Sequence, residues 1–155
     1  MSTAKDPVAT AGMLIHKPLA EVFEAFVDPK ITANFWFSEG TARLDAGKRV
    51  TWTWKMYGVS AEVGVIEIVP NQRIVMDWGD PGGSGKTRVV WAFEEKRGGS
   101  FVTVENSGFK GDDACAEAIG STDGFALVLA GAKAWLEHGL RLNLVPDRHP
   151  DARVD

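Results

Sequence analysis

Few residues in this chain have the type and spacing for acid–base, nucleophilic or metal chemistry. His16, His138 and His149 fall on an expected strand, a helix end and a terminal segment, and no pair of them has the spacing of metal ligands. Cys115 is the only cysteine. As a nucleophile it would need a base beside it, and the sequence places none there. Gly82-Gly83-Ser84-Gly85-Lys86-Thr87 has the residue types of a phosphate-binding loop but not their spacing, and a strand rather than a helix should follow, so it reads as a hairpin loop. Asp77, Glu94, Glu105 and Arg88 are expected strand residues whose ordinary role is cross-strand ion pairing on a solvated face. Glu62 lies amid Ala61, Val63 and Val65, where alternation allows either face. Pointing inward it would need a partner, and would be a ligand contact or a catalytic group. No residue is assigned a catalytic role, and no metal or cofactor is expected.

The apolar residues make the stronger constellation. Six tryptophans and eight phenylalanines stand beside a single tyrosine, so the core is built largely from rings. Trp52, Trp54 and Met56 share a face of one expected strand, Met76 and Trp78 of another, Trp91 and Phe93 of a third. Phe125 and Leu129, with Ala132, sit on one side of the last helix. If these faces converge, a ligand between them would meet rings, a thioether and few charges. Ala130, Gly131 and Ala132 are small, so the helix either packs tightly on the sheet or leaves room beneath it.

Those residues need elements to hold them. Val8 to His16 alternates weakly, as a first strand would. Residues 18–27 carry Leu19, Val22, Phe23 and Phe26 at helical spacing, with Pro18 where a first turn tolerates it and Asp28-Pro29 to end it. Ile31 to Trp36 reads as a second short helix. Strands follow: Val50 to Tyr57, Ser60 to Val69, Arg73 to Trp78, Lys86 to Glu95 and Phe101 to Asn106, with turns at Gly58, Pro70-Asn71, 80–85 and Arg97-Gly98-Gly99. Connections this short make an antiparallel meander. Asp112 to Ala118 reads as a helical turn broken at Gly120. Ser121 or Thr122 then caps a last helix, on which Phe125, Val128, Leu129, Ala132, Trp135, Leu136 and Leu140 share a face.

A length of 155 residues suits one domain with one core, taken here as 8–145, with 1–7 and 146–155 as flexible termini. The net charge of −4 and the lack of a basic cluster argue against nucleic acid as a partner. No apolar run approaches the roughly 20 residues of a bilayer span. The first residues lack the apolar stretch of a secretory signal, and a single cysteine permits no internal disulfide, so the expected location is cytoplasmic.

Several segments, in order, resemble one family. They are residues 18–29, the aromatic cluster Phe35-Trp36-Phe37, the hairpin segment 65–75, Ser107-Gly108-Phe109 after the last strand, and Gly124-Phe125 with 133–139 in the last helix. Together they resemble the family named after the activator of heat-shock protein 90 ATPase, within the START-like or SRPBCC superfamily, over about residues 10–140. Phe125 stands where that family commonly has tryptophan. The resemblance implies an α+β helix-grip fold, a curved antiparallel sheet wrapped around a long C-terminal helix, with two short helices after the first strand. It also implies a cavity between sheet and helix, which Phe35 and Trp36 would gate. Fold alone does not assign a reaction. The expectation is therefore a small hydrophobic or aromatic ligand held by Phe35, Trp36, Trp52, Trp54, Met56, Met76, Trp78, Trp91, Phe93, Phe125 and Leu129, with lipid binding included. Two alternatives stay open: a polyketide cyclase-like or hydrolytic enzyme, which needs an inward polar pair involving Glu62 or Glu105, and a protein-interaction module. Homodimers occur in the superfamily, so self-association is open too. Chaperone activation is discounted, because in the activator this domain accompanies another.

Overall fold

A computed structural model describes residues 6–79 and 86–155. The loop expected over 80–85 and residues 1–5 lie outside the described residues. The strands are β1 (Ala9–Ile15), β2 (Glu39–Gly40), β3 (Arg49–Trp54), β4 (Val59–Val69), β5 (Arg73–Gly79), β6 (Thr87–Lys96) and β7 (Gly99–Ser107). They form one antiparallel sheet in the order β1-β7-β6-β5-β4-β3-β2. Between β1 and β2 come α1 (Leu19–Val27) and α2 (Pro29–Thr32), and after β7 come the long α3 (Ala114–His138) and the short α4 (Leu144–Arg148). The sheet curls into a half-barrel around α3, the expected helix-grip arrangement.

Period-two alternation sets the concave face. Val50, Trp52 and Trp54 on β3, Val89, Trp91 and Phe93 on β6, and Val102 and Val104 on β7 are all buried. On β5, Ile74 and Met76 are buried and Trp78 is half-buried. A β-bulge at Ile66 shifts the β4–β5 register between Val65 and Glu67. The carboxylates face out. Glu62 is exposed and pairs with Arg49 at 3.0 Å, and Asp77 meets Arg88 across β5 and β6 at 3.4 Å. Glu94 and Glu105 are exposed as well.

Several sequence expectations are corrected. The strand expected to reach Tyr57 stops at Trp54, and Lys55–Tyr57 is a turn of 3-10 helix closed by Gly58 at φ 63°. Met56 therefore leaves the face it was assigned. The second short helix starts at Pro29 rather than Ile31 and ends at Thr32, because the Asp28 side chain accepts from the Lys30 N–H and begins a new helix where α1 stops. The last helix does not begin at Ser121. It runs unbroken from Ala114 through Gly120 and Gly124. A glycine inside a helix costs only about 1 kcal/mol, which the packing of Phe125, Val128, Leu129 and Ala132 outweighs. Leu140 lies past the Gly139 cap and is exposed. Residues 146–155, expected as a polar tail, carry the end of α4 and a 3-10 turn over Pro150–Ala152, and the Val154 N–H bonds the Met56 carbonyl at 2.9 Å.

The C-terminal half of α3 is fastened to β1. Lys133 Nζ donates to the Leu14 carbonyl and to Glu137 Oε2, each at 2.7 Å, and the same carboxylate oxygen accepts the His16 N–H at 2.9 Å. Burial pushes the Glu137 carboxyl up, but the His16 amide and the Lys133 ammonium outweigh it and hold the group below the ordinary carboxylate value. A lowered native value means this stabilisation is complete above the ordinary carboxylate range and is lost as pH falls through the native value. Glu137→Gln should cost about 1–3 kcal/mol at neutral pH. In urea melts, the gap between wild type and variant should narrow as pH drops below about 4–5. A gap that stays constant with pH would show that the carboxylate charge is not what fastens the helix.

Candidate functional site

Trp36 sits where the sheet, the α1–α2 segment and α3 meet. Its ring packs against Trp52 (4.8 Å between centroids), Trp91 (5.8 Å) and Phe125 (5.9 Å), and stacks on Trp78 at 5.6 Å with 15° between planes. Below it, rings pack against one another. Phe26 contacts Phe35, Trp91 and Phe93, and Phe23 contacts Phe93. Phe37 stacks on Trp52 at 4.8 Å.

On the other side of this cluster the space is hollow. A cavity of about 460 Å³ lies where β5 ends, β6 begins and the N-terminal half of α3 passes over. Trp36, Trp78, Phe109, Phe125, Val128 and Val145 give it apolar walls, and Gly79, Thr87, Asn106, Glu117, Gly120, Ser121 and Gly124 complete the lining. The α3 contributors Glu117, Gly120, Ser121, Gly124, Phe125 and Val128 follow three- and four-residue spacing, so they form one helical face. Thr87 continues the inward face of Val89 and Trp91, and Asn106 that of Val102 and Val104.

The polar lining is ordered. Asn106 Nδ2 donates to the Arg88 carbonyl at 3.0 Å. A carbonyl only accepts, so this bond fixes the amide orientation. Asn106 Oδ1 must then be the acceptor in its 2.8 Å bond with Ser121 Oγ, and the serine hydroxyl donates. Thr87 Oγ1 donates to the Trp78 carbonyl at 3.2 Å. Ser121, expected as a helix cap, therefore ties α3 to β7 instead.

Of the residues expected to contact ligand, Trp36, Trp78 and Phe125 line this cavity. Trp52, Trp54, Met76, Trp91, Phe93 and Leu129 are buried in the core beside it. Phe35 and Met56 line a separate hollow of about 260 Å³, which also touches Trp36 and lies under residues 141–146. Sequence reasoning missed Thr87, Asn106, Phe109, Glu117, Ser121 and Val145. The alternation of β6 and β7 could have given the first two. The α3 residues were hidden by the break assigned to Gly120. Among the described residues no group of three metal-ligating side chains occurs, and no helix is long and apolar enough to cross a membrane.

The roof over the cavity is held by Tyr57. Its hydroxyl bonds the carbonyls of Val145 and Pro146 and accepts the His149 N–H at 3.3 Å. Arg148 Nε adds an ion pair with Asp123 of α3 at 2.8 Å.

Curled sheet, gripping helix and the hollow beside them define a helix-grip protein. The model of the family described as Activator of Hsp90 ATPase homolog 1-like protein matches residues 16–137, and the chain belongs to that family. Among solved structures, protein SSP2350 of Staphylococcus saprophyticus is 30% identical, with a TM-score of 0.76 over 87% of this chain and 95% of that one. The Aha1 dimer of Colwellia psychrerythraea is 14% identical, with a TM-score of 0.74 over 85% of this chain and 97% of that one. DynU16, from the dynemicin biosynthetic locus, is 21% identical, with a TM-score of 0.72 over 88% of this chain and 49% of its own length. No curated protein matches the sequence.

Two tests follow from this geometry. A Cβ at Gly124 would meet open space, whereas one at Gly131 would lie 3.1 Å from Phe35 Cβ and 3.2 Å from the Phe35 carbonyl. Gly124→Ala should therefore stabilise the protein by about 0.5–1 kcal/mol. Gly131→Val should destabilise it by about 1–3 kcal/mol in chemical melts. Equal effects at the two sites would refute the division of α3 into an open and a packed half. Tyr57→Phe should lower hydrogen-exchange protection over 145–154 and leave β6 and β7 protected. Unchanged protection of 145–154 would show that the hydroxyl does not hold the roof.

Proposed function

We propose that the protein binds a small hydrophobic or aromatic molecule in the cavity beneath the N-terminal half of α3. The observation that carries this reading is the hollow itself. A core with rings enough to fill its lower half leaves about 460 Å³ unfilled above Trp36 and Trp78. That is within the usual range for small-molecule sites, about 300–1,000 Å³. Two helix glycines face this space, each costing about 1 kcal/mol relative to alanine, a cost that an unoccupied helix face would not need to bear. The ligand would be held by burial, at about 25 cal/mol per Å² of apolar surface removed from water, with the Asn106–Ser121 edge setting its orientation.

Catalytic use of the cavity has less support. The carboxylates that would have favoured it, Glu62 and Glu105, are both exposed. Among the described residues, the single carboxylate in the lining is that of Glu117. Cys115 is exposed and unbridged, which suits a reducing, cytoplasmic setting. Self-association, as in the Colwellia dimer, is a further proposal that the same experiment reads.

Native mass spectrometry of freshly purified protein, before and after denaturing extraction, tests the reading. The expected result is a small mass increment that leaves on unfolding and is absent from Gly124→Leu, whose side chain grows into the hollow. Bare protein mass, together with no quenching of tryptophan emission by any of a panel of neutral aromatics, would overturn it. The intact-complex mass separates monomer from dimer.

A further inference from the structure

The hydrogen-bond directions at the cavity wall bear on what the ligand must be, given the binding reading above, on which this inference rests. Ser121 spends its hydroxyl hydrogen on Asn106 Oδ1 and Thr87 spends its own on the Trp78 carbonyl, while Asn106 commits one amide hydrogen to the Arg88 carbonyl. Each partner can only accept, so none of these hydrogens can turn toward a ligand without breaking a bond beside a nearly buried amide, Asn106 being 3% exposed. What the polar edge offers is lone pairs: Ser121 Oγ, Thr87 Oγ1 and the second lone pair of Asn106 Oδ1. Asn106 retains at most one amide hydrogen. Glu117 lies one turn before Ser121 on the same helical face and is the one carboxylate among the described lining residues.

We infer that the cavity selects an aromatic molecule that donates a hydrogen bond, a phenol or an aryl amine rather than an aromatic carboxylate, which can only accept. The flat part of the ligand lies along the Trp36–Trp78 stack, and its O–H or N–H points at the Ser121–Thr87 edge. A carboxylate is disfavoured because it brings acceptors to an edge whose hydroxyl hydrogens are already committed. The open helix face at Gly120 and Gly124 leaves room for the ring system.

Three probes on one ring system separate these features: 2-naphthol, an uncharged donor; 2-methoxynaphthalene, the same ring without the donor; and 2-naphthoate, the anion. Dissociation constants are measured by calorimetry at neutral pH. Naphthol should bind about three- to tenfold tighter than the methoxy compound, the worth of one net hydrogen bond. Naphthoate, which has no hydrogen to donate at neutral pH, should be weaker than naphthol by at least the same factor. Gly124→Leu, with its fold checked by circular dichroism, should abolish binding of all three, and Gly120→Leu serves in its place if that variant does not fold. If the three probes bind wild type equally and Gly124→Leu removes them all, donor selection is overturned while the cavity reading stands. If none binds wild type, or binding survives both cavity-filling variants, the cavity reading falls and this inference with it.

Discussion

The structure depends on how Trp36 is wedged between the sheet and α3. A half-barrel presents a wide apolar surface, and a helix is only about 10–12 Å across with its side chains. One helix cannot cover that surface alone. The chain supplies the missing volume with rings from α1 and the segment after α2: Phe23, Phe26, Phe35, Trp36 and Phe37. They fill one end only. Trp36 is the last of them, and its stack with Trp78 is at once the top of the packed core and the floor of the hollow. Because interiors pack at near-crystalline density, a boundary this sharp requires a large rigid side chain at the divide.

The helix is matched to that boundary. In its C-terminal half Gly131 lets the backbone approach Phe35, while Lys133 and Glu137 fasten it to β1. In its N-terminal half glycines face the void, and Ser121 ties it to the sheet through Asn106. One continuous helix thus serves as core at one end and as cavity wall at the other. Membership of the Activator of Hsp90 ATPase homolog 1-like family accounts for the scaffold. The chemistry of the wall belongs to this chain's own residues, since one scaffold can carry many sites.

The strands were legible because each has one face in water and one in the core. Alternation in Val50–Trp54 and Val89–Phe93 reports burial directly, and it placed Trp52, Trp54, Trp91 and Phe93 inside. The same logic failed one residue past Trp54, where the chain turns into a 3-10 helix with no change in its apolar rhythm. It left Glu62 undecided, since Ala61 is too small to mark a face, and only pairing with β3 and β5 showed it to be outside. The start of α3 was misread because glycine is a local stop signal, and local propensity loses to tertiary packing. Glu117 and Ser121 were lost from the cavity wall with it.

The sequence by itself determined the order of first strand, short helices, strand meander and last helix, because periodicity and short connections are local properties that any window of the chain carries, and its motifs carried the family resemblance. Which core residues touch empty space, and which touch one another, was decided only by tertiary structure. Trp36, Trp78 and Phe125 have the same apolar signature in sequence as Trp52 and Trp91, yet the first three line a hollow and the others do not. The difference lies in what stands opposite each ring. A cavity is a mismatch between the volumes of facing elements far apart in the chain, and no single stretch of sequence records it.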